Sequence, residues 1–366
     1  MGCASLPDMW RDGGQGGMGD RCLRCNACTL NCPIARIIGS EVFPGPRSFN
    51  NVMRTPRSPE LALLREALTL CTSCGRCEEI CPHDIEARSV ELKKLLFDVS
   101  KMAPGHTRLL DTIDRTGFAV EGDMAVARSG IRCPDVIFFP GCIAGIRMPK
   151  VARATITLMD VFGVSFTIPE ECCCCGSPPT NLGASDLNRQ LHERNAEAFE
   201  RVGVDVIVTP CPGCASHLRR TCEGYDVYHI VEYLNEVVGV DTIKAHLAKG
   251  HTADGNATIA VHYPCHLIRG GNPLSKGYMR RLAELVATPV DTEDLCCGAG
   301  GGVLSGASFV AKTLRGRKLS NVDAFEHLVT ACPFCLLNFK EGAEELNLKV
   351  NVKDITEVLV DAIHRP

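Results

Sequence analysis

Glu171-Cys172-Cys173-Cys174-Cys175-Gly176 is the stretch whose reading decides this chain, and a shorter version returns as Cys296-Cys297-Gly298. Four consecutive cysteines are hard to explain as core packing, and adjacent cysteines make poor disulfide partners for each other. The surrounding chain repeats as well. FFPGC matches HYPCH, CCGSPP matches CCGAGG, and CPGC at 211–214 matches CPFC at 332–335. Cys265 follows Cys142 by 123 residues, Cys296 and Cys297 follow Cys174 and Cys175 by 122, and Cys332 and Cys335 follow Cys211 and Cys214 by 121. Spacings this constant mark an internal duplication. They also divide the four-cysteine run. Cys174 and Cys175 correspond to Cys296 and Cys297, while Cys172 and Cys173 have no counterparts.

Each repeat thus offers five cysteines: Cys142, Cys174, Cys175, Cys211 and Cys214, then Cys265, Cys296, Cys297, Cys332 and Cys335. Five is one more than a cubane cluster or a tetrahedral zinc site needs. Either one is spare or the cluster is not a simple cubane. Gly176, Gly298 and Gly300, with Gly301 and Gly302, are expected to let backbone approach a cluster and aim N–H groups at it.

Short β-rich runs lead towards these cysteines: DVIFF (135–139), VSFTI (164–168), VDVIV (204–208), TIAVHY (258–263), TPVDT (288–292) and HLVTA (327–331). Helical runs alternate with them, which predicts α/β units on parallel sheets with a site outside the strands' carboxyl ends. In ASDLNRQLHERNAEAFERVG, Leu187, Leu191, Ala198, Phe199 and Val202 form one apolar stripe.

Upstream, Cys22-x-x-Cys25-x-x-Cys28-x-x-x-Cys32-Pro33 returns as Cys71-x-x-Cys74-x-x-Cys77-x-x-x-Cys81-Pro82. This is the two-cluster ferredoxin spacing, in which the cysteine before proline serves the other cluster. Cys22, Cys25, Cys28 and Cys81 are expected around one cubane [4Fe–4S] cluster, and Cys71, Cys74, Cys77 and Cys32 around a second. SPELALLREALTL, capped by Ser58 and Pro59, residues 84–101 and residues 105–118 read as helices. The domain is therefore a helical ferredoxin. The expected order is a flexible tail (1–20), this domain (21–105), a linker helix (106–132), a first repeat (133–250) and a second (251–366).

Composition narrows the function. A net charge of −4 gives no reason to expect nucleic acid binding, and no run approaches a membrane span. The 23 cysteines would suit a disulfide-rich secreted protein. The start shows no apolar signal region, however, and the C-x-x-C spacings suit metals. A cytoplasmic setting is expected, with any membrane attachment made through a partner.

PGC, CCGSP, HYPCHLIRG, CCGAGGGV and ACPFC, in two Cys…Cys-Cys-Gly…Cys-x-x-Cys patterns, resemble the CCG domain in the B subunit of heterodisulfide reductase. With the ferredoxin domain in front, the chain resembles a fusion of that enzyme's C and B subunits, the layout of the D subunit in methanogenic archaea. The resemblance implies a noncubane [4Fe–4S] cluster on each five-cysteine set. Two such clusters would face a cleft that takes a disulfide such as that of coenzyme M and coenzyme B. It further implies a hetero-oligomeric complex with a flavoprotein or cytochrome donor subunit. The family leaves room for zinc in place of one cluster. It also includes relay subunits of glycerol-3-phosphate, lactate, glycolate and succinate dehydrogenases, which have no substrate of their own. Tyr263 stands where that pattern expects a small acidic residue.

Around these ligands, His266 and Arg269 are candidates to donate a proton or grip an anionic substrate tail, with a local backbone cap for His266 and an ion pair for Arg269 as the other possibility. His262 reads as structural. Arg315, Arg317 and Lys318 read as a solvated helix face, with anion binding as the other possibility. Cys133 and Cys222 read as small buried residues.

Overall fold

In the C-terminal half, β-branched and aromatic residues gather in runs of three to five between glycine and proline breaks, too short for helices and apolar on both faces. The computed structural model describes residues 22–53, 60–85, 89–126, 133–247 and 258–364. Eight strands form: β1 Val136–Phe138, β2 Phe166–Thr167, β3 Val206–Thr209, β4 Asp226–His229, β5 Thr258–Val261, β6 Thr288–Asp291, β7 His327–Thr330 and β8 Asn351–Asp354. They pair as two four-stranded sheets, β2-β1-β3-β4 and β6-β5-β7-β8, parallel throughout. The duplicated α/β architecture expected from the repeat is present.

This strand order places the site. The chain leaves β1 towards β2 and then returns to its other side as β3, so a crevice opens between the carboxyl ends of β1 and β3. Cys142 follows the end of β1 and Cys211 the end of β3; Cys265 and Cys332 follow β5 and β7 in the same way. Each C-P-x-C run then starts a helix. Cys211 and Cys332 are the N-cap residues of Pro212–Thr221 and Pro333–Glu345, with proline at the first helical position. Cys214 and Cys335 sit three residues further on, one helical turn along the same face.

Two of the eight strands, β4 and β8, were absent from the sequence expectation. Both are short edge strands that alternate in burial but carry few apolar residues, as in Asn351-Val352-Lys353-Asp354, so neither shows a continuous apolar run. The two repeats share one core. Phe138 and Val208 of the first sheet and Ala260 and Val329 of the second are fully buried in it. Helix Pro149–Val161 packs on Ile355–His364 across the repeat boundary.

The N-terminal region is helical, with Ala27–Leu30, Pro33–Ile38, Pro46–Met53, Glu60–Thr69, Arg76–Glu79 and Ser89–Leu95 and no strand among its described residues. The expected helix over 84–101 is shorter, running from Ser89 to Leu95 with a separate 3-10 turn at Val99–Lys101. This domain has no core wholly its own. Ile34, Phe43, Phe49, Leu68 and Leu92 pack into one cluster with Val303, Val310, Ala311 and Leu314 of the second repeat. Helix Pro104–Thr116 packs against Val303–Gly306, and His106 Nε2 lies 2.8 Å from the Gly302 carbonyl oxygen. The tail 1–20, the Ser58–Pro59 cap and residues 127–132 of the expected linker lie outside the described residues.

Candidate iron–sulfur centres

The two ferredoxin motifs have the same backbone. Arg24 and Asn26 flank Cys25 with positive φ, and Ser73 and Gly75 flank Cys74 likewise. Left-handed residues at these points curl the loop so that its thiols converge. One small cavity is lined by Cys22, Cys25, Cys28 and Cys81, with Cys77 at its edge. A cavity of about 460 Å³ is lined by Cys32, Cys71, Cys74 and Cys77, and extends to His266, Arg220 and Arg269. The cysteines of each expected quartet thus line one cavity, with Cys77 on both. Burial pushes the Cys32 thiol up to about 12.

In the first repeat the thiols interact in the order Cys142, Cys174, Cys175, Cys214, Cys211. In the second the order is Cys265, Cys296, Cys297, Cys335, Cys332, with Cys335 Sγ 3.2 Å from Cys297 Sγ. The adjacent cysteines are therefore not competing for one place. Cys174 turns to Cys142 while Cys175 turns to Cys214, and Cys296 and Cys297 divide in the same way. The two sets adjoin where Cys211 interacts with Cys332. The second set also adjoins the ferredoxin domain, where Cys74 interacts with Cys296. Of these ten cysteines Cys211 is half-buried and the rest are buried.

Electrostatics test whether such sets suit a cluster. Hydrogen bonds from neighbouring thiols hold Cys175, Cys211 and Cys297 well below the ordinary thiol range. Hydrogen bonding to a neighbour, then burial, pushes Cys174, Cys214, Cys296, Cys332 and Cys335 well above it. One thiolate is thus stabilised at the expense of the next. Five buried thiols can ionise together only around a positive centre, so the donor sets fit iron or another thiophilic cation.

Other side chains hold the Cys-Cys-Gly turns. Asn195 donates to the Cys174 carbonyl at 2.9 Å and accepts from the Cys173 N–H at 3.0 Å. Asn338 donates to the Cys297 carbonyl at 2.7 Å. Neither asparagine carried a sequence signal beyond lying on a helix beside the site. Gly176 has φ +91°, and a Cβ there would stand 2.3 Å from Asn188 Oδ1. Gly300 and Gly301 face the ferredoxin loop: a Cβ would stand 2.8 Å from the Thr72 carbonyl oxygen and 2.2 Å from that of Cys71. Buried Lys93 donates to the carbonyls of both Cys71 and Gly301. The glycine run thus seats one domain on the other.

Two sequence readings change. Arg315 and Lys318 are buried, not a solvated face. Arg315 pairs with Glu345 and donates to Asn338 Oδ1, and Lys318 donates to the Glu293 carbonyl. Both cations are engaged within the scaffold, because their helix packs inward against Pro333–Glu345. Cys133 is exposed, on a residue with positive φ, while Cys222 is buried as expected. Arg269 reaches Glu79 at 2.7 Å and Asp294 at 2.6 Å, and Arg76 joins the same two carboxylates. Its guanidinium ties the second ferredoxin motif to the second repeat. His266 stands between Cys265, whose Sγ is 3.9 Å from its Nδ1, and the ferredoxin loop at Ser73.

Fold and cysteine geometry together define an iron–sulfur protein in which a helical ferredoxin domain is fused to a duplicated cysteine-rich α/β domain. The cysteine-rich domain family CCG matches residues 136–219 and 259–340, and the 4Fe-4S dicluster domain family matches residues 18–85. The chain is 31% identical to the B subunit of fumarate reductase (CoM/CoB) from Methanothermobacter marburgensis, over 92% of this chain and 71% of that one. It is 27% identical to the D subunit of dihydromethanophenazine:CoB–CoM heterodisulfide reductase from Methanosarcina mazei, over 94% of both. A probable glycolate oxidase iron-sulfur subunit of Bacillus subtilis is 22% identical over 93% of both. The chain belongs to this family of dicluster–CCG iron–sulfur proteins, as expected from its motifs. No helix among the described residues is long and apolar enough to cross a membrane.

Proposed function

We propose that this chain is the disulfide-reducing iron–sulfur subunit of a larger complex, with a CoM–CoB-type heterodisulfide as its substrate class. The observation that supports this is the interaction of Cys211 with Cys332, by which the two five-cysteine sets adjoin across the repeat boundary. Cys22, Cys25, Cys28 and Cys81, and Cys32, Cys71, Cys74 and Cys77, would hold two cubane clusters. The ten repeat cysteines would hold two noncubane ones, or one with zinc at the other. Bound there, the clusters would supply one-electron transfer and a thiophilic metal for each sulfur of the disulfide.

The protein supplies position and protons. Cys74 beside Cys296 gives a short path from the ferredoxin domain into the second repeat. Burial of nine of the ten repeat cysteines keeps bulk water from the sulfur chemistry. His266 borders both the ferredoxin loop and Cys265 and is the nearest candidate to deliver a proton. A flavoprotein or cytochrome subunit would be the electron donor, and any membrane association would run through it.

A second reading, an electron relay without its own substrate, is favoured by that same burial and by the place of the 460 Å³ cavity, which is lined by ferredoxin-motif cysteines and none of the ten. Anaerobic purification with iron and zinc counting, followed by EPR with and without thiol, separates them. About 16 irons per chain and a thiol-dependent paramagnetic signal are expected. About 8 irons would sink the four-cluster reading, and 16 without a thiol response would leave the relay.

A further inference from the structure

His262 follows β5 and is held in line by its backbone N–H, which donates to the Val329 carbonyl at 2.9 Å. Its ring is buried edge-on against Phe339, with centroids 4.8 Å apart. Among the described residues neither ring nitrogen completes a hydrogen bond with nitrogen or oxygen, although burying such a group without a partner is costly. The ring is aimed at sulfur. One ligand atom each of His262, Cys297 and Cys335 lie within 4.8 Å of one another. A buried imidazole with no other partner there, set against two ligand thiols, is placed to serve whatever those thiols hold.

The first repeat gives the position its meaning. His262 precedes Cys265 by three residues, and the equivalent residue before Cys142 is Phe139. His217 follows Cys214 by three residues, and the equivalent residue after Cys335 is Asn338. His217 is buried; its Nε2–H donates to Asn188 Oδ1 at 3.2 Å, its Nδ1 has no partner among the described residues, and it lies within electrostatic reach of Cys175. Each site therefore keeps one buried imidazole against the second cysteine of its pair. One comes from a strand end and the other from the helix after C-P-x-C.

Resting on the cluster reading above, we propose that His262 donates an imidazole N–H to the Cys297 sulfur and thereby raises the reduction potential of the second repeat's cluster. Five thiolates already exceed what four irons need, so the imidazole is not required as a ligand. A hydrogen bond to a ligand sulfur stabilises the reduced, more negative state. His262 is a positioning residue in this sense, acting on the cluster through Cys297.

His262→Phe installs the residue that the first repeat carries there, so the fold has a precedent for it. The test is an EPR-monitored anaerobic redox titration of the full chain, with the second site's signal identified by its loss in Cys265→Ser. The expected result is parent-level iron with a lower midpoint potential in His262→Phe, restored at least in part by His262→Gln, which keeps an N–H donor. An unchanged potential, or loss of the second site's iron in both variants, would overturn the proposal. Iron counting on the parent tests the four-cluster reading by itself, so the two ideas can fail separately.

Discussion

Asp354 ends β8 where His229 ends β4, and each caps the helix that follows. Asp354 Oδ1 accepts from the Thr356 N–H at 3.0 Å and its hydroxyl at 2.8 Å; His229 Nδ1 accepts from the Val231 N–H at 3.2 Å. The carboxylate is the costlier solution. It is buried, and among the described residues its Oδ2 has no partner. Burial pushes its pKa up to about 7, against the bonds from Thr356. The unfolded chain releases this proton near pH 4 and the folded chain near 7, so the folded state binds more protons in between. Stability contributed by the neutral acid is therefore complete below about pH 4 and is lost as pH rises to about 7. Asp354→Asn keeps an oxygen for the cap and cannot ionise. Thermal unfolding of the variant from pH 5 to 8 should show a flatter pH dependence than the parent; parallel curves would show that Asp354 is not the group responsible.

At the scale of elements, the cysteine spacings announced the repeat, the ferredoxin quartets and six of the eight strands, because metal ligands and apolar strands leave local patterns. What stayed hidden depends on packing. β4 and β8 are edge strands with few apolar residues, buried at alternate positions. The helix Ser308–Leu319 looked polar because Arg315 and Lys318 occupy buried positions that the rest of the fold neutralises. The role of the glycine run was hidden for the same reason. Gly301 has φ +65° and its missing Cβ leaves room for the Cys71 carbonyl, a contact between segments 230 residues apart in sequence. Gly301→Ala would be strained twice, by a left-handed backbone costing about 1–2 kcal/mol and by a clash with backbone that cannot swing aside. The expected outcome is a lower melting temperature together with slower reduction of the CCG sites after dithionite is mixed in. Gly316→Ala, where a Cβ would meet nothing within 4 Å, should change neither.

Over the whole molecule the ferredoxin domain is joined to the two repeats unequally. Its core is completed by Val303, Val310, Ala311 and Leu314, its loop rests on Gly300 and Gly301, and its Cys74 adjoins Cys296, all in the second repeat. Two kinds of force hold this interface, and their sizes assign them different tasks. The Arg269–Glu79–Asp294–Arg76 network has carboxylates more than 40% exposed around an Arg269 side chain that is 8% exposed, so each pair keeps water on its carboxylate side, contributes about 1 kcal/mol and weakens with salt. Leu314 is fully buried, and its truncation to alanine costs about 2–5 kcal/mol. Apolar packing therefore sets how strongly the domains hold together, and the ion pairs set how they are aligned. Leu314→Ala should lower the anaerobic melting temperature by several degrees. Arg269→Gln should leave the melting temperature within about a degree and slow electron transfer from the ferredoxin clusters to the second repeat, read by stopped-flow absorbance. Raised salt should slow the parent towards the rate of the variant and affect the variant less, because the substitution removes the two Arg269 pairs that salt screens and leaves only Arg76 on Asp294 across the interface. Equal rates in parent and variant at low salt would place the alignment, too, in the apolar core.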